Sequence, residues 1–115
     1  MKENNIVNKS EEFAILVIKY CKSLKANKEY EIAHQLLKSG TSIGANIAEA
    51  QDAESKADFI HKIRIANKEA NETRFWLRLC KRSDLITNPP NELISLLIEV
   101  RKILTTISKK VAQKT

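Results

Sequence analysis

Ser39-Gly40-Thr41-Ser42-Ile43-Gly44-Ala45-Asn46-Ile47-Ala48-Glu49-Ala50 holds the chain's only two glycines, four residues apart, in a stretch that otherwise reads as helix. A glycine inside a helix costs about 1 kcal/mol relative to alanine, so two in successive turns point to a compensating contact. Without Cβ atoms, Gly40 and Gly44 let a second helix come close. Ala33 and Ala48 extend this small-residue strip along the same face. The stretch therefore specifies helices packed closely on helices.

The rest of the composition agrees. At 115 residues the chain is one domain, 1–115, able to bury roughly two thirds of its unfolded surface. Hydrophobic residues make up 43% and charged residues 30%, a globular rather than a disordered balance. Two glycines and two prolines are too few for the turns of an all-β fold. The expected fold is all-α, an antiparallel up-down-up-down four-helix bundle with short connections. Cys21 and Cys80 stand alone on apolar helix faces with no C-x-x-C pair. They read as buried thiols in a reduced compartment, not as zinc ligands or a redox dithiol. Met1-Lys2-Glu3-Asn4-Asn5 contains no apolar signal core, and no run reaches the ~20 apolar residues of a membrane span. The expectation is a soluble, cytoplasmic protein.

Four helices can be placed. The first runs from about Ser10 to Lys25, with Asn8 and Glu11 at capping-box spacing and Phe13, Val17, Tyr20 and Leu24 as its apolar stripe. Asn27 can cap the second, from about Lys28 to Asp52, whose main face carries Ile32, Leu36, Ile43, Ile47 and Ala50. The third begins at Ser55, with Asp58 in the acceptor position of a capping box. Its residues Phe59, Ile63, Ala66, Ala70, Thr73, Leu77 and Cys80 recur at intervals of 4, 3, 4, 3, 4, 3, the seam of a left-handed bundle. Asn88-Pro89-Pro90-Asn91 breaks the chain. The fourth helix, from about Asn91 to Ala112, repeats the spacing in Leu93, Leu97, Val100, Leu104, Ile107 and Val111. Ile94, Leu96, Ile98 and Ile103 are apolar as well, which widens the arc beyond one core. Such a surface is expected to be buried against another subunit, making these four residues a homo-oligomer interface.

Chemistry is sparse. Glu31-Ile32-Ala33-His34 and Asp58-Phe59-Ile60-His61 have the Glu-x-x-His look of a di-iron bundle. A mirror near residue 54 would put His61 level with Ile47, roughly 20 Å from His34 at 1.5 Å per residue. Paired metal ions sit only about 4 Å apart, so no metal site is expected. The same mirror puts Glu69 level with Ser39 and Glu72 with Leu36. Ser39, Ser42 and Gln35 could then supply the donors a half-buried carboxylate needs. Glu69, Glu72, Asn46 and Glu49 read as polar residues that fix helix register or a subunit contact. No serine or cysteine has an identifiable base and orienter, so no catalytic residue, enzymatic activity or cofactor is expected. The Gly40–Gly44 stretch lacks the form of a phosphate loop.

The most suggestive feature is charge. The net charge is +6 from 20 basic and 14 acidic residues, which permits a polyanionic partner without requiring one. On the third helix Arg64, Lys68, Arg78 and Arg82 share one narrow face opposite the seam, flanked by Arg74 and Lys81. Phe75 lies in the middle of that face. Cations for phosphates and a flat ring for a base are what a nucleic-acid surface needs. The competing reading covers Phe75 with a neighbouring subunit or with Ile6-Val7.

Three segments together resemble a known family: Leu36–Ala50 with its Ser-Ile-Gly-Ala-Asn-Ile-Ala-Glu core, Ser55–Ile60, and Ile65–Leu77 with Glu-Ala-Asn-Glu-Thr. The chain resembles, over roughly residues 10–85, the bacterial four-helix-bundle family encoded in intervening sequences of 23S ribosomal RNA genes. The matching motif residues are Ser42, Gly44, Asn46, Glu49, Glu69, Glu72 and Trp76. The resemblance implies a ring-like homo-oligomer, a pentamer, and no agreed catalytic residues. It also implies kinship in fold with the accessory protein of diversity-generating retroelements, whose basic pentamer contacts nucleic acid and a reverse transcriptase. Where Ala50 stands, members often have glycine, so the second helix should end without a glycine cap, on Gln51-Asp52-Ala53. The expected function is a non-enzymatic oligomeric bundle binding RNA or DNA through Arg64, Lys68, Arg74, Arg78, Lys81 and Arg82, with Phe75 stacking on bases. The alternative is a scaffold for a protein partner, marked by exposed Trp76 and Leu79.

Overall fold

The computed structural model describes residues 5–114; Met1 to Asn4 and Thr115 lie outside the described residues. Four helices follow one another: α1 (Asn5–Ala26), α2 (Tyr30–Gln51), α3 (Lys56–Arg82) and α4 (Asn91–Lys114). Each packs against two neighbours, α1 on α2, α2 on α3, α3 on α4 and α4 back on α1. No strand occurs among the described residues.

α1 starts more than a turn before the expected boundary. Ile6 and Ser10 continue the stripe of Phe13, Val17, Tyr20 and Leu24, and all six are buried. Burial of Ile6 extends the helix, so Asn8 lies inside it and the Asn8–Glu11 cap does not form. At its other end α1 closes in a Schellman motif. Glu29 N–H donates to Leu24 O and Lys28 N–H to Lys25 O, both at 2.9 Å. Lys28 takes the left-handed position, φ 63°. This turn uses Asn27 differently from expectation. Its amide donates to Ser23 O and to Thr87 Oγ1 at 2.7 Å, while Glu29 stands at the start of α2 without a side-chain cap.

The glycines admit α1. A Cβ on Gly40 would stand 2.9 Å from both Val17 methyl groups, and one on Gly44 would stand 3.4 Å from Ser10 O. Ala33 continues the strip, its carbonyl accepting from Cys21 Sγ, but Ala48 is exposed. α2 ends without glycine, as expected: Asp52 N–H donates to Glu49 O and Ala53 N–H to Ala50 O.

α3 opens as its sequence indicates. Ser55 Oγ accepts from Asp58 N–H at 3.0 Å, and Asp58 Oδ2 accepts from Glu54 N–H. The seam from Ile63 to Cys80 is buried and Phe59 is half-buried. The register on α2 differs from expectation by about one turn. Lys62 pairs with Glu49 at 2.7 Å and Thr73 Oγ1 with Ser39 Oγ at 3.0 Å, so Thr73 rather than Glu69 stands opposite Ser39. The extended backbone at Ser55 (φ −157°, ψ 168°) advances the chain faster than a helical residue would. Together with the non-helical Asp52, Ala53 and Glu54, it lets α3 begin beyond the end of α2. His61 falls level with about Gln51, and its distance from His34 grows to about 25 Å along the axis.

Asn67 donates to Ser108 Oγ at 2.9 Å, and Arg101 donates to Asn71 Oδ1 at 2.8 Å. Like the pairings of α1 with α2 and α2 with α3, these run in opposite chain directions, so successive helices alternate. On the α3–α4 connection, Pro89 is buried and Thr87 O accepts from the Tyr20 hydroxyl. α4 absorbs most of its own wide apolar arc because it touches both α1 and α3. Leu96, expected at an oligomer interface, belongs to this chain's own core. Ile94 and Ile103 are half-buried, and of the four only Ile98 is exposed, at 49%.

Candidate nucleic-acid interface

With Ile63, Ala66, Ala70, Thr73, Leu77 and Cys80 turned inward, helical geometry sends residues 64, 68, 75, 78 and 82 to the opposite side. Arg64, Lys68, Arg78 and Arg82 are all exposed there, as are the flanking Arg74 and Lys81. Phe75 is 52% exposed. Ile6 and Val7 pack on the core and leave it uncovered. The Phe75 ring meets Trp76 edge-on, centroids 5.0 Å apart at 68°. Trp76 Nε1 in turn donates to Glu72 Oε2 at 3.2 Å. The stripe thus carries an aromatic ring whose neighbour is itself held in place.

Glu69 and Glu72 behave differently from expectation. Ser39 is engaged with Thr73, and Ser42 Oγ donates to Lys38 O at 2.7 Å, so neither serves Glu69 or Glu72. The register-fixing role falls to the buried Ser39–Thr73 pair. Glu49 bridges α2 to α3 through Lys62, while Asn46 bonds only within α2, to Ser42 O.

Beside the stripe runs the groove between α3 and α4, with three recesses along it. The upper one, about 200 Å³, is lined by Leu77, Ile94, Leu97 and Ile98 together with Arg74, Arg78, Lys81 and Arg101. The middle one is polar, with Asn67, Asn71, Thr105, Ser108 and Lys109. The lower one, about 390 Å³, combines Ile60, Ile63 and Val111 with His61 and Arg64. Among the described residues no carboxylate lines any of the three. By contrast, Glu92 lines the recess between α1 and α4, and Glu31 the one holding Tyr30 and Trp76. Arg101 and Lys109 were not among the residues the sequence pointed to. Arg101 lies one turn from Ile98 and Thr105, and Lys109 one turn beyond Thr105, on one side of α4, a spacing masked by the apolar arc.

The thiols stand apart from this surface. Burial pushes Cys21 up to about 11 and also raises Cys80, which keeps both protonated and unreactive at neutral pH. No group of three or more metal-ligating side chains occurs among the described residues.

Fold and surface together define an all-helical bundle with a basic flank beside a groove whose three recesses have no carboxylate among their lining residues. The family model for the 23S rRNA-intervening sequence protein matches residues 2–106, and the chain belongs to that family. The match takes in all of α1 and most of α4 as well as the central segments. The chain is also similar to a crystal structure of a protein of unknown function from the S23 ribosomal protein family of Bacteroides thetaiotaomicron VPI-5482. The two are 45% identical, the alignment covers 90% of this chain and 98% of that one, and the TM-score is 0.85. Comparison with curated proteins found no match. No described helix is long and apolar enough to cross a membrane.

Proposed function

We propose that this chain is a non-enzymatic, homo-oligomeric, cytoplasmic bundle that binds RNA, or another nucleic acid, through the basic flank of α3. The observation carrying this reading is the co-location of six exposed cations with an exposed Phe75 beside a groove without carboxylates. Clustered cations bind phosphates by releasing counterions, and an exposed ring adds stacking. The family's description refers to 23S rRNA, which makes ribosomal RNA fragments the first ligands to try.

Association has its own support. Ile15 and Ile18, one turn apart on α1, are 49% and 46% exposed, an apolar patch suited to a second copy. A ring, the pentamer that the family resemblance implies, would repeat the basic flank around its rim and multiply weak contacts.

A mobility-shift assay with ribosomal RNA fragments tests the reading. Arg78→Glu combined with Arg82→Glu should abolish the shift while leaving far-UV circular dichroism unchanged. Binding that survives the double variant overturns the assignment. Capture of a protein partner after nuclease treatment, with no RNA bound, would favour a scaffold instead.

A further inference from the structure

We infer that the α3/α4 groove is a track for an unpaired RNA strand, with phosphates on the cations along its edges and bases entering its apolar recesses. The inference rests on the nucleic-acid reading above and narrows it to single-stranded segments. Six cations from two helices flank the groove: Arg64, Arg74, Arg78, Lys81, Arg101 and Lys109. No carboxylate opposes them there, although the chain has 14 acidic residues. Such a surface is complementary to a polyanion.

The recesses select the form of the polyanion. Bases of an RNA duplex are stacked and its major groove is closed to side chains, whereas unpaired bases can splay out and meet protein surfaces. Ile94, Leu97 and the half-exposed Ile98 offer an apolar surface on which a splayed base can lie and a base stacked within a duplex cannot. Between the upper and lower recesses the Asn67–Ser108 and Asn71–Arg101 hydrogen bonds cross the groove. They interrupt the apolar floor and hold the Arg101 guanidinium at its edge. An amphipathic helix would need a continuous apolar stripe at that point; a strand with separate bases does not. A second copy fits less well, since a groove edged by six cations would meet like charge if it paired with itself. From Ile98 to Val111 the groove runs about 20 Å, long enough to follow a strand over several nucleotides.

The test uses the full chain and a fluorescently labelled oligoribonucleotide of about eight nucleotides, alone or annealed to its complement. Anisotropy should show the single strand binding about tenfold or more tighter than the duplex. Arg101→Glu with Lys109→Glu should remove most of the single-strand affinity and flatten its salt dependence by about two contacts. Ile98→Asn changes an exposed side chain and should fold; it should weaken the single strand severalfold and leave the duplex unchanged. Equal affinity for the two forms, or an Ile98→Asn protein whose native mass changes, overturns the groove assignment and leaves the basic flank standing. Absence of binding to either form and to long ribosomal RNA removes both readings.

Discussion

Alanine at the two glycines of α2 should change stability in opposite directions. At Gly40 the new Cβ would lie 2.9 Å from both Val17 methyl groups. Val17 is fully buried and β-branched, with one strongly preferred rotamer in a helix, so it cannot turn aside. Overpacking of this kind costs about 1–3 kcal/mol, against about 1 kcal/mol gained from helix propensity. The net is a loss of about 1 kcal/mol. At Gly44 the new Cβ would meet Ser10 O at 3.4 Å, an ordinary contact, and the propensity gain of about 1 kcal/mol should survive. The two variants should thus differ by about 2 kcal/mol, roughly 8 °C in Tm for a chain of this size. Urea unfolding followed by circular dichroism, at one protein concentration because association would move the midpoint, measures it directly. In a Val17→Ala background, Gly40→Ala should become neutral or favourable. If both single variants move stability the same way, the close approach of α1 at Gly40 is not the reason for that glycine.

Two further outcomes follow from the turn and the core. Lys28 holds a left-handed conformation, φ 63°, where a residue with a Cβ is penalised by about 1–2 kcal/mol. Lys28→Gly should therefore stabilise by about 0.5–1 kcal/mol after glycine's greater unfolded freedom is deducted, and a lowered Tm would contradict the Schellman assignment. At alkaline pH the core should weaken. Burial raises Tyr20, Cys21 and Cys80, so the folded chain keeps protons that the unfolded chain has shed. Stability should hold to about pH 8.5 and then fall by up to roughly 1.4 kcal/mol per pH unit and group above pH ~9. A urea midpoint unchanged between about pH 8 and pH 11 would show these side chains to be solvated.

The helices were legible because each core-facing stripe is written locally. The 4-3 spacing from Ile63 to Cys80 encodes α3 directly, and Gly40 and Gly44 encode its neighbour's close contact with α1. Register was not legible in the same way. It depends on the path of the whole connection from Asp52 to Ser55, which no periodicity reveals, and a one-turn shift moves Glu69 and Glu72 away from the serines expected to serve them. At the start of α1, Asn8–Glu11 imitates a cap while Ile6 continues the buried stripe and carries the helix past it. Leu96 looks like an interface residue in the sequence because a helix's own pattern does not say how many neighbours it has. The exposed cations of α3 could be found from one helix. Arg101 and Lys109 gain meaning only once α4 is laid beside α3, since a groove belongs to two helices.

The salt dependence of RNA affinity tests the basic flank most directly. Titration of the wild-type chain with a single-stranded 23S rRNA fragment across a range of potassium chloride concentrations gives log K against log salt. Six phosphate contacts at about −0.7 each predict a slope near −4. A slope close to zero, or no binding at the lowest salt, would contradict a phosphate-binding surface on α3.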